Sequence, residues 1–355
     1  MVSAWYDVEN ALEGFEVMEK IISVIQVVLP IFCCFFLGLQ AKRRAMFSPD
    51  DIQSFQRFVV KFCLPCLLFV NVYNITSIAD IDWSVVLYSE VVVLLWAAVG
   101  FFLAKRVIGE ERQEGVIMQC MFRSNFAIIG LPLAESLGGA EGAGVAAVLS
   151  AFSIPTFNIL AVIALTVFLP EENGKKTDVK SILGKIAPNP LIWGALLGLA
   201  ALGIRSVLPV AGDGMPVFSL KEDLPVLFNA VNNIAKICGP LSLLILGGIF
   251  DFGAIRGMKK PIIIGTVSRI FIVPLLSLGV AILLSAHTGF FNFDKTVYPA
   301  LLALFGAPVA VSSAAMAQEM DNDGTLAGQL VVWTSVFSIA TLFLFIFVLR
   351  NMGLL

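Results

Sequence analysis

The sequence predicts an all-α polytopic membrane protein: ten transmembrane helices in two inverted five-helix repeats, with broken helices that cross. Three observations predict it. Of 355 residues, 58% are hydrophobic and 14% charged, and the mean hydropathy is +0.92. A water-soluble domain carries about 45–50% apolar and about 25% charged residues. Ten apolar runs follow one another, near 20–41, 54–73, 83–104, 113–135, 143–169, 188–204, 224–250, 261–286, 297–317 and 325–349. Each approaches the roughly 20 residues that cross a bilayer as a helix. Two of these runs carry helix breakers at matching places, Gly130 to Pro132 and Gly306-Ala307-Pro308. Proline removes a backbone donor and clashes one turn back. In a bilayer the opened backbone is tolerated only where protein buries it or a polar cavity receives it. Such a pair, one in each half, is the sequence mark of a transporter's binding site.

Taken in order, the first nineteen residues include DVENALEGFEVME, which is acidic. No cleavable signal peptide is expected, and the first span is read as staying in the membrane. Basic residues then mark alternate loops: Lys42, Arg43, Arg44 and Arg57; Lys105, Arg106 and Arg112; Lys175, Lys176, Lys180 and Lys185; Arg256, Lys259 and Lys260. The opposite loops hold only Arg205, Lys221 and Lys295. The positive-inside rule places the basic loops in the cytoplasm and both termini outside a cell membrane. One loop disagrees, because between spans nine and ten Glu319, Asp321 and Asp323 stand without Lys or Arg. Acidic residues carry little topological weight.

Ser48-Pro49-Asp50-Asp51 reads as the start of span two: a serine cap, a proline suited to the first turn, and acids at the positive helix end. Asp223-Leu224-Pro225 reads the same way for span seven. Spans two and seven also share a signature, Lys61-Phe62-Cys63-Leu64-Pro65 against Lys236-Ile237-Cys238-Gly239-Pro240. Pro65 lies 67 residues before Pro132, and Pro240 lies 68 before Pro308. Five spans per half turn the second copy upside down. Residues 1–169 form the first repeat, 170–187 a cytoplasmic linker, and 188–355 the second repeat.

Ionisable groups inside spans are costly, on the order of 2.5–3.5 kcal/mol at the centre, and are expected to face the protein. The set is Lys61, Arg123, Lys236, Arg269, Glu90 and, nearer an interface, Glu135. Two readings stay open. Lys61 and Lys236 supply a positive field for an anion while Glu90 carries a coupling proton. Alternatively the lysines snorkel from helix ends and Glu90 pairs with Arg123 or Arg269. Ser124 and Asn125 precede the first break, and Ser312 and Ser313 follow the second. They either bind an anion, aided by half-helix N-termini, or satisfy freed carbonyls. Asn229, Asn232 and Asn233 line a vestibule or meet headgroups. The candidate substrate-binding set is therefore Asn125, Ser124, Gly130, Pro132, Gly306, Pro308, Ser312, Ser313, Lys61, Lys236 and Asn233, with Glu90, Arg123 and Arg269 for coupling.

Cys63 and Cys66 have redox spacing but sit in an apolar span, as do Cys33, Cys34, Cys120 and Cys238, and the one histidine, His287, lies in an outer loop. No zinc set follows. Asn74-Ile75-Thr76 is a glycosylation triplet on the outer side. The basic loops are explained by topology, so nucleic acid is not an expected partner. No phosphate loop, metalloprotease motif or nucleophile elbow is present, and an enzyme is not expected.

These residues carry a resemblance. Arg57-Phe58-Val59 with Phe62, Pro65, Leu68 and Phe69 resembles the R-F-V…F…P-L-L…F pattern of the auxin efflux carrier family. Asn125 with Gly130-Leu131-Pro132-Leu133 resembles its N…G-[IL]-P-L signature, and Pro308 with Ala317-Gln318-Glu319 its second crossover and closing A-K-E. The resemblance covers nearly the whole chain. It implies a fold like that of sodium/proton antiporters and bile-acid symporters. Spans one, two, six and seven would form a dimerising scaffold, and spans three to five and eight to ten a moving domain. Asn125 would contact a substrate carboxylate where the broken helices cross. The central loop is shorter than in many plant carriers, and Gln318 replaces a common lysine. The expectation is a transporter of small organic anions, auxin-like or other mono- and dicarboxylates, by an elevator-like mechanism and in the direction of efflux. No cofactor is expected beyond a coupling proton or sodium ion, and the partners are the carboxylate, the bilayer and a second copy. The alternative is a sodium-coupled symporter of bile-acid-like anions.

Overall fold

A computed structural model describes residues 29–30, 33–74, 82–169, 190–207, 218–250, 253–291 and 293–355. The linker 170–187, much of the first apolar run, and residues 75–76 of the glycosylation triplet lie outside the described residues. The described residues are helical apart from turns and short extended stretches, with no strand beyond one isolated bridge.

A helix over 33–43, α1, precedes α2 at Pro49–Tyr73. Then come α3 at Trp83–Val107, α4 at Glu111–Phe122, α5 at Leu131–Val167, α6 at Pro190–Val207 and the single turn α7 at Leu220–Asp223. The second half holds α8 at Pro225–Ile249, α9 at Lys259–His287, α10 at Val297–Gly306, α11 at Ser312–Glu319 and α12 at Gly324–Asn351. Among the described residues, six helices are long and apolar enough to cross a membrane: α2, α3, α5 with the turn before it, α8, α9 and α12. The expected sixth and ninth spans contain shorter apolar helices, Leu196–Arg205 and Val297–Gly306. The expected fourth and fifth spans meet at Gly139, whose φ of 60° and ψ of −151° turn the chain sharply inside α5. Glycine tolerates that conformation because it has no Cβ.

Local chemistry sets the helix starts. Ser48 and Asp51 form a complete capping box, with Asp51 N donating to Ser48 Oγ at 3.2 Å and Ser48 N to Asp51 Oδ2 at 2.9 Å. Asp223 departs from expectation. Its carboxylate accepts from Ser219 N at 2.6 Å and closes α7, while α8 begins at Pro225 without a side-chain cap.

Three π-helical turns interrupt the helices: Val59–Cys63 in α2, Phe126–Gly130 before α5, and Ser268–Ile272 in α9. Each ends two residues before a proline, namely Pro65, Pro132 and Pro274. Proline cannot donate to the carbonyl one turn back, and a wider turn absorbs the missing bond.

Close approach of backbones holds the helices together, as it must where lipid removes the hydrophobic drive between helices. A Cβ on Gly247 in α8 would lie 2.0 Å from Phe35 O in α1, and a Cβ on Gly38 would lie 2.0 Å from Leu244 O. At Gly194 a Cβ would lie 2.5 Å from Pro65 O, which sets α6 against α2. Every residue of α10 is buried, mainly against α5.

One end of the molecule gathers the basic loops. Lys42 Nζ donates to Phe250 O at 2.9 Å and Lys260 Nζ to Val107 O at 2.6 Å. Arg112 Nε donates to Asp321 O at 2.8 Å, and Glu319 faces Lys61 at 3.4 Å and Arg57 at 3.8 Å. The acidic 319–323 loop thus lies among the basic ones, with Glu319 paired to two cations and the Asp321 carbonyl to Arg112. At the other end Arg205 Nη1 donates to Tyr73 O at 2.9 Å, and the Tyr73 hydroxyl meets Ser219 Oγ at 3.1 Å.

Candidate functional site

The two interrupted helices meet at their breaks. Between α4 and the π turn at Phe126 the chain runs extended through Arg123, and between α10 and α11 it opens at Ala307. Ser124 and Val309 form an antiparallel bridge. Asn125 N donates to Pro308 O at 2.8 Å, and Ala310 N donates to Arg123 O at 3.2 Å. Val309 N donates to Thr334 Oγ1 on α12 at 3.1 Å. Each break therefore satisfies the other, which is how opened backbone survives at membrane depth.

The first break lies earlier than Gly130 and Pro132 suggest. The helix opens at Arg123–Asn125, and Gly130 closes the π turn while Pro132 stands in the first turn of α5, where a missing N–H costs little. Gly130 serves packing instead: a Cβ there would lie 2.2 Å from the Phe126 ring and 3.1 Å from Ala303 O of α10. Gly306 ends α10, and Pro308 lies in the extended second break as its position implies.

Helix polarity divides the charges around the bridge. α4 and α10 point their C-terminal, electronegative ends at it. Arg269, in the π turn of α9, covers those ends. Its Nε and Nη2 donate to Ala307 O at 3.0 and 2.9 Å, Nη2 also to Leu304 O at 3.3 Å, and Nη1 to Met121 O at 3.3 Å. Arg269 is 1% exposed and is spent on backbone carbonyls. The π turn at Phe126 and α11 point their N-terminal, electropositive ends at the bridge. Arg123 stands beside them, 2% exposed. Its Nη2 donates to Asn158 Oδ1 at 2.9 Å and Ser312 Oγ at 3.1 Å, and Nη1 to Gln119 Oε1 at 3.3 Å. All three acceptors are neutral. Among the described residues the ion pairs are those of Glu319, so Arg123 carries a buried charge with no counter-ion.

A cavity of about 50 Å³ lies here, lined by Arg123, Ser124, Asn125, Asn158, Ser312 and apolar neighbours from α2 and α8. Ser124 Oγ and Asn125 Nδ2 are buried and have no hydrogen-bond partner, and neither has Ser313 Oγ nearby in α11. Buried polar groups are normally paired, so these three are exceptions at and beside the cavity.

The structure brings Arg123, Ser124, Asn125, Pro308 and Ser312 together and leaves other candidates apart. Lys61, in the π turn of α2, pairs with Glu319. Glu90 pairs with neither Arg123 nor Arg269; its Oε1 accepts from Ser153 Oγ at 2.7 Å. Lys236 lines a larger neighbouring concavity, and Asn233 is exposed on α8. Sequence reasoning missed Gln119, although it lies one helical turn before Arg123 on the same helix. It also missed Asn158 and Thr334, which lie on other helices and which no spacing in the sequence relates to the breaks.

Comparison with known proteins identifies the family of the chain. A family model described as membrane transport protein matches residues 23–346. The chain is 25% identical to the uncharacterized transporter YfdV of Escherichia coli K12 over 196 residues, 54% of this chain and 62% of that protein. The match thus spans less than two thirds of YfdV's length. It is 23% identical to an uncharacterized transporter of Methanothermobacter thermautotrophicus over 335 residues, 91% of this chain and 95% of that protein. With apolar helices long enough to cross a membrane and a family match over most of its length, the chain is an integral membrane protein that belongs to the auxin efflux carrier family of membrane transport proteins.

Proposed function

We propose that this protein is a secondary transporter of small organic anions that binds a carboxylate at the paired breaks. The observation that carries the reading is Arg123, a buried guanidinium with only neutral partners, beside the unpaired donor Asn125 Nδ2 and the unpaired Ser124 hydroxyl. The surplus at the breaks is of donors. The opened carbonyls of Arg123, Ala307 and Pro308 already accept from Ala310 N, Arg269 and Asn125 N. A donor surplus with positive charge suits an anion, since burying an uncompensated charge is costly and a carboxylate relieves it.

The mechanism that fits is elevator-like. The bundle carrying both breaks, spans three to five and eight to ten, would move against a scaffold of spans one, two, six and seven, which also pairs two copies. A negative cell interior drives an anion outward by about 2.3 kcal/mol per charge per 100 mV, so efflux through a cell membrane needs no coupled ion. A sodium-coupled symporter of bile-acid-like anions is the competing reading. The occupied carbonyls at the breaks weigh against it, and sodium-dependent binding would favour it.

The test is binding of a panel (indole-3-acetate, malonate, lactate and a bile acid) to the purified chain, wild type beside Asn125→Ala. One small carboxylate is expected to bind, and Asn125→Ala should weaken it at least about tenfold, the loss of one charge-assisted hydrogen bond. Because Asn125 Nδ2 has no partner within the fold, the variant should melt close to wild type. Undiminished binding in Asn125→Ala would remove the breaks as the site.

A further inference from the structure

Next to the bridge lies a larger, open concavity of about 450 Å³, between α1, α2, α8 and the start of α5. It shares Leu67, Ala127, Ile128 and Gly239 with the small cavity, so the two are neighbours across one wall. The cavity at the bridge has room for water, whose share of liquid volume is about 30 Å³, and not for the body of an organic anion. The larger one falls in the range of about 300–1,000 Å³ that small-molecule sites occupy. Its walls are mostly apolar, with Pro30, Leu67, Ile128, Pro132, Pro240 and Leu243. Two polar groups break that surface. Asn71 Nδ2 is buried and has no hydrogen-bond partner. Lys236 has no carboxylate within ion-pair distance among the described residues. Both groups are donors, and one is a cation.

A close contact in the shared wall connects the helix of Lys236 to the segment that leads from the bridge. Lys236 lies three residues from Gly239 on α8, where a Cβ would lie 3.0 Å from Ile128 Cδ1. Ile128 in turn lies three residues from Asn125. The Gly239–Ile128 contact thus lies about one turn from Lys236 along its helix and about one turn from Asn125 along the other segment.

We propose that Lys236 and Asn71 form a second anionic-group subsite, and that the substrate is an elongated dianion with an apolar middle. The inference rests on the reading above, in which one carboxylate sits at Arg123 and Asn125. The apolar walls take the chain between the two charges. A monoanion of the same length would leave Lys236 and Asn71 without a partner, and that difference creates the discrimination.

The experiment is calorimetry on the purified full chain in nanodiscs, with chain-matched pairs: hexanoate with adipate, and octanoate with suberate. Wild type is expected to favour a dianion by about tenfold over its partner. In Lys236→Gln that ratio should fall to about one, while Lys236→Arg, which keeps the charge, retains it. Raising salt should shrink the ratio in wild type, because exposed charges are screened. Asn125→Ala should weaken both members of each pair. A dianion preference that survives Lys236→Gln, or a wild type that prefers the monoanion, overturns the subsite and leaves the bridge reading intact. If none of the four anions binds wild type while malonate, lactate or indole-3-acetate does, the elongated-dianion subsite falls and the bridge reading stands; if none of these binds either, both fall.

Discussion

Arg123 and Arg269 are both buried and both lack an acid partner among the described residues, yet the structure gives them opposite work. Arg269 donates four hydrogen bonds to three carbonyls that the two breaks leave open, so its charge is answered by helix ends. Arg123 touches neutral side chains that line a cavity. Arg269→Gln should therefore destabilise the protein whether or not a ligand is present. Unpaired buried carbonyls cost about 1–3 kcal/mol each, so the loss should reach about 3 kcal/mol or more, read as a lower melting temperature in detergent. Lys at position 269 should recover only part, because one ammonium cannot span three acceptors. A melting temperature like that of wild type in Arg269→Gln would show that the carbonyls are satisfied in another way. Nothing in the sequence separates the two arginines, since both stand in apolar runs near a proline. Their roles depend on which helix end each one meets.

At the scale of the helix, proline spacing was informative, but its local consequence was not legible. Pro65 and Pro240 occupy matching sequence contexts. Pro65 follows a π turn, whereas Pro240 lies inside a continuous α8. Pro132 marks a nearby break without making it, because the helix has already opened at Arg123. Glycines behave likewise. Gly247 and Gly279 both lie within long apolar helices, but a Cβ on Gly247 would meet the backbone of α1, and one on Gly279 would meet nothing within 4 Å. Gly247→Ala should cost about 1–3 kcal/mol by overpacking. Gly279→Ala should be neutral or stabilise by up to about 1 kcal/mol through helix propensity. Parallel thermal melts of the two variants check both expectations, and equal melting temperatures would refute the close α1–α8 contact.

Across the whole molecule, Glu319 joins elements that the proposed mechanism moves apart. It ends α11, the helix that begins at the second break, and pairs with Lys61 and Arg57 of α2. Both basic side chains are more than half exposed, so the pairs add little to stability, about 0–1 kcal/mol. Even 1 kcal/mol shifts a two-state equilibrium about fivefold. Glu319→Gln should thus leave the melting temperature nearly unchanged while raising hydrogen exchange across 307–319 by up to about fivefold. Exchange rates equal to wild type would mean that the pairs bias no movement. The concavity with Lys236 lies along the middle of α8 and the later part of α2, where Asn71 stands two residues before Tyr73, the partner of Arg205 and Ser219.

The sequence by itself determined that the chain lives in a membrane, that it is helical, that two of its spans are broken, and which family it resembles. Composition and proline placement are local properties, and a bilayer admits few answers to them. It also marked Ser124, Asn125 and Pro308, because polar residues beside a break in an apolar run are costly unless used. The tertiary structure alone decided how the breaks pair, where the first one opens, and that Lys61 belongs to Glu319 and Glu90 to Ser153. It also placed the acidic 319–323 loop among cations, which no count of loop charges could foresee. The physical reason is that buried charges are partnered across helices far apart in sequence. Arg123 and Ser312 are separated by 189 residues, and only the packing of α5, α10 and α12 brings the two segments together.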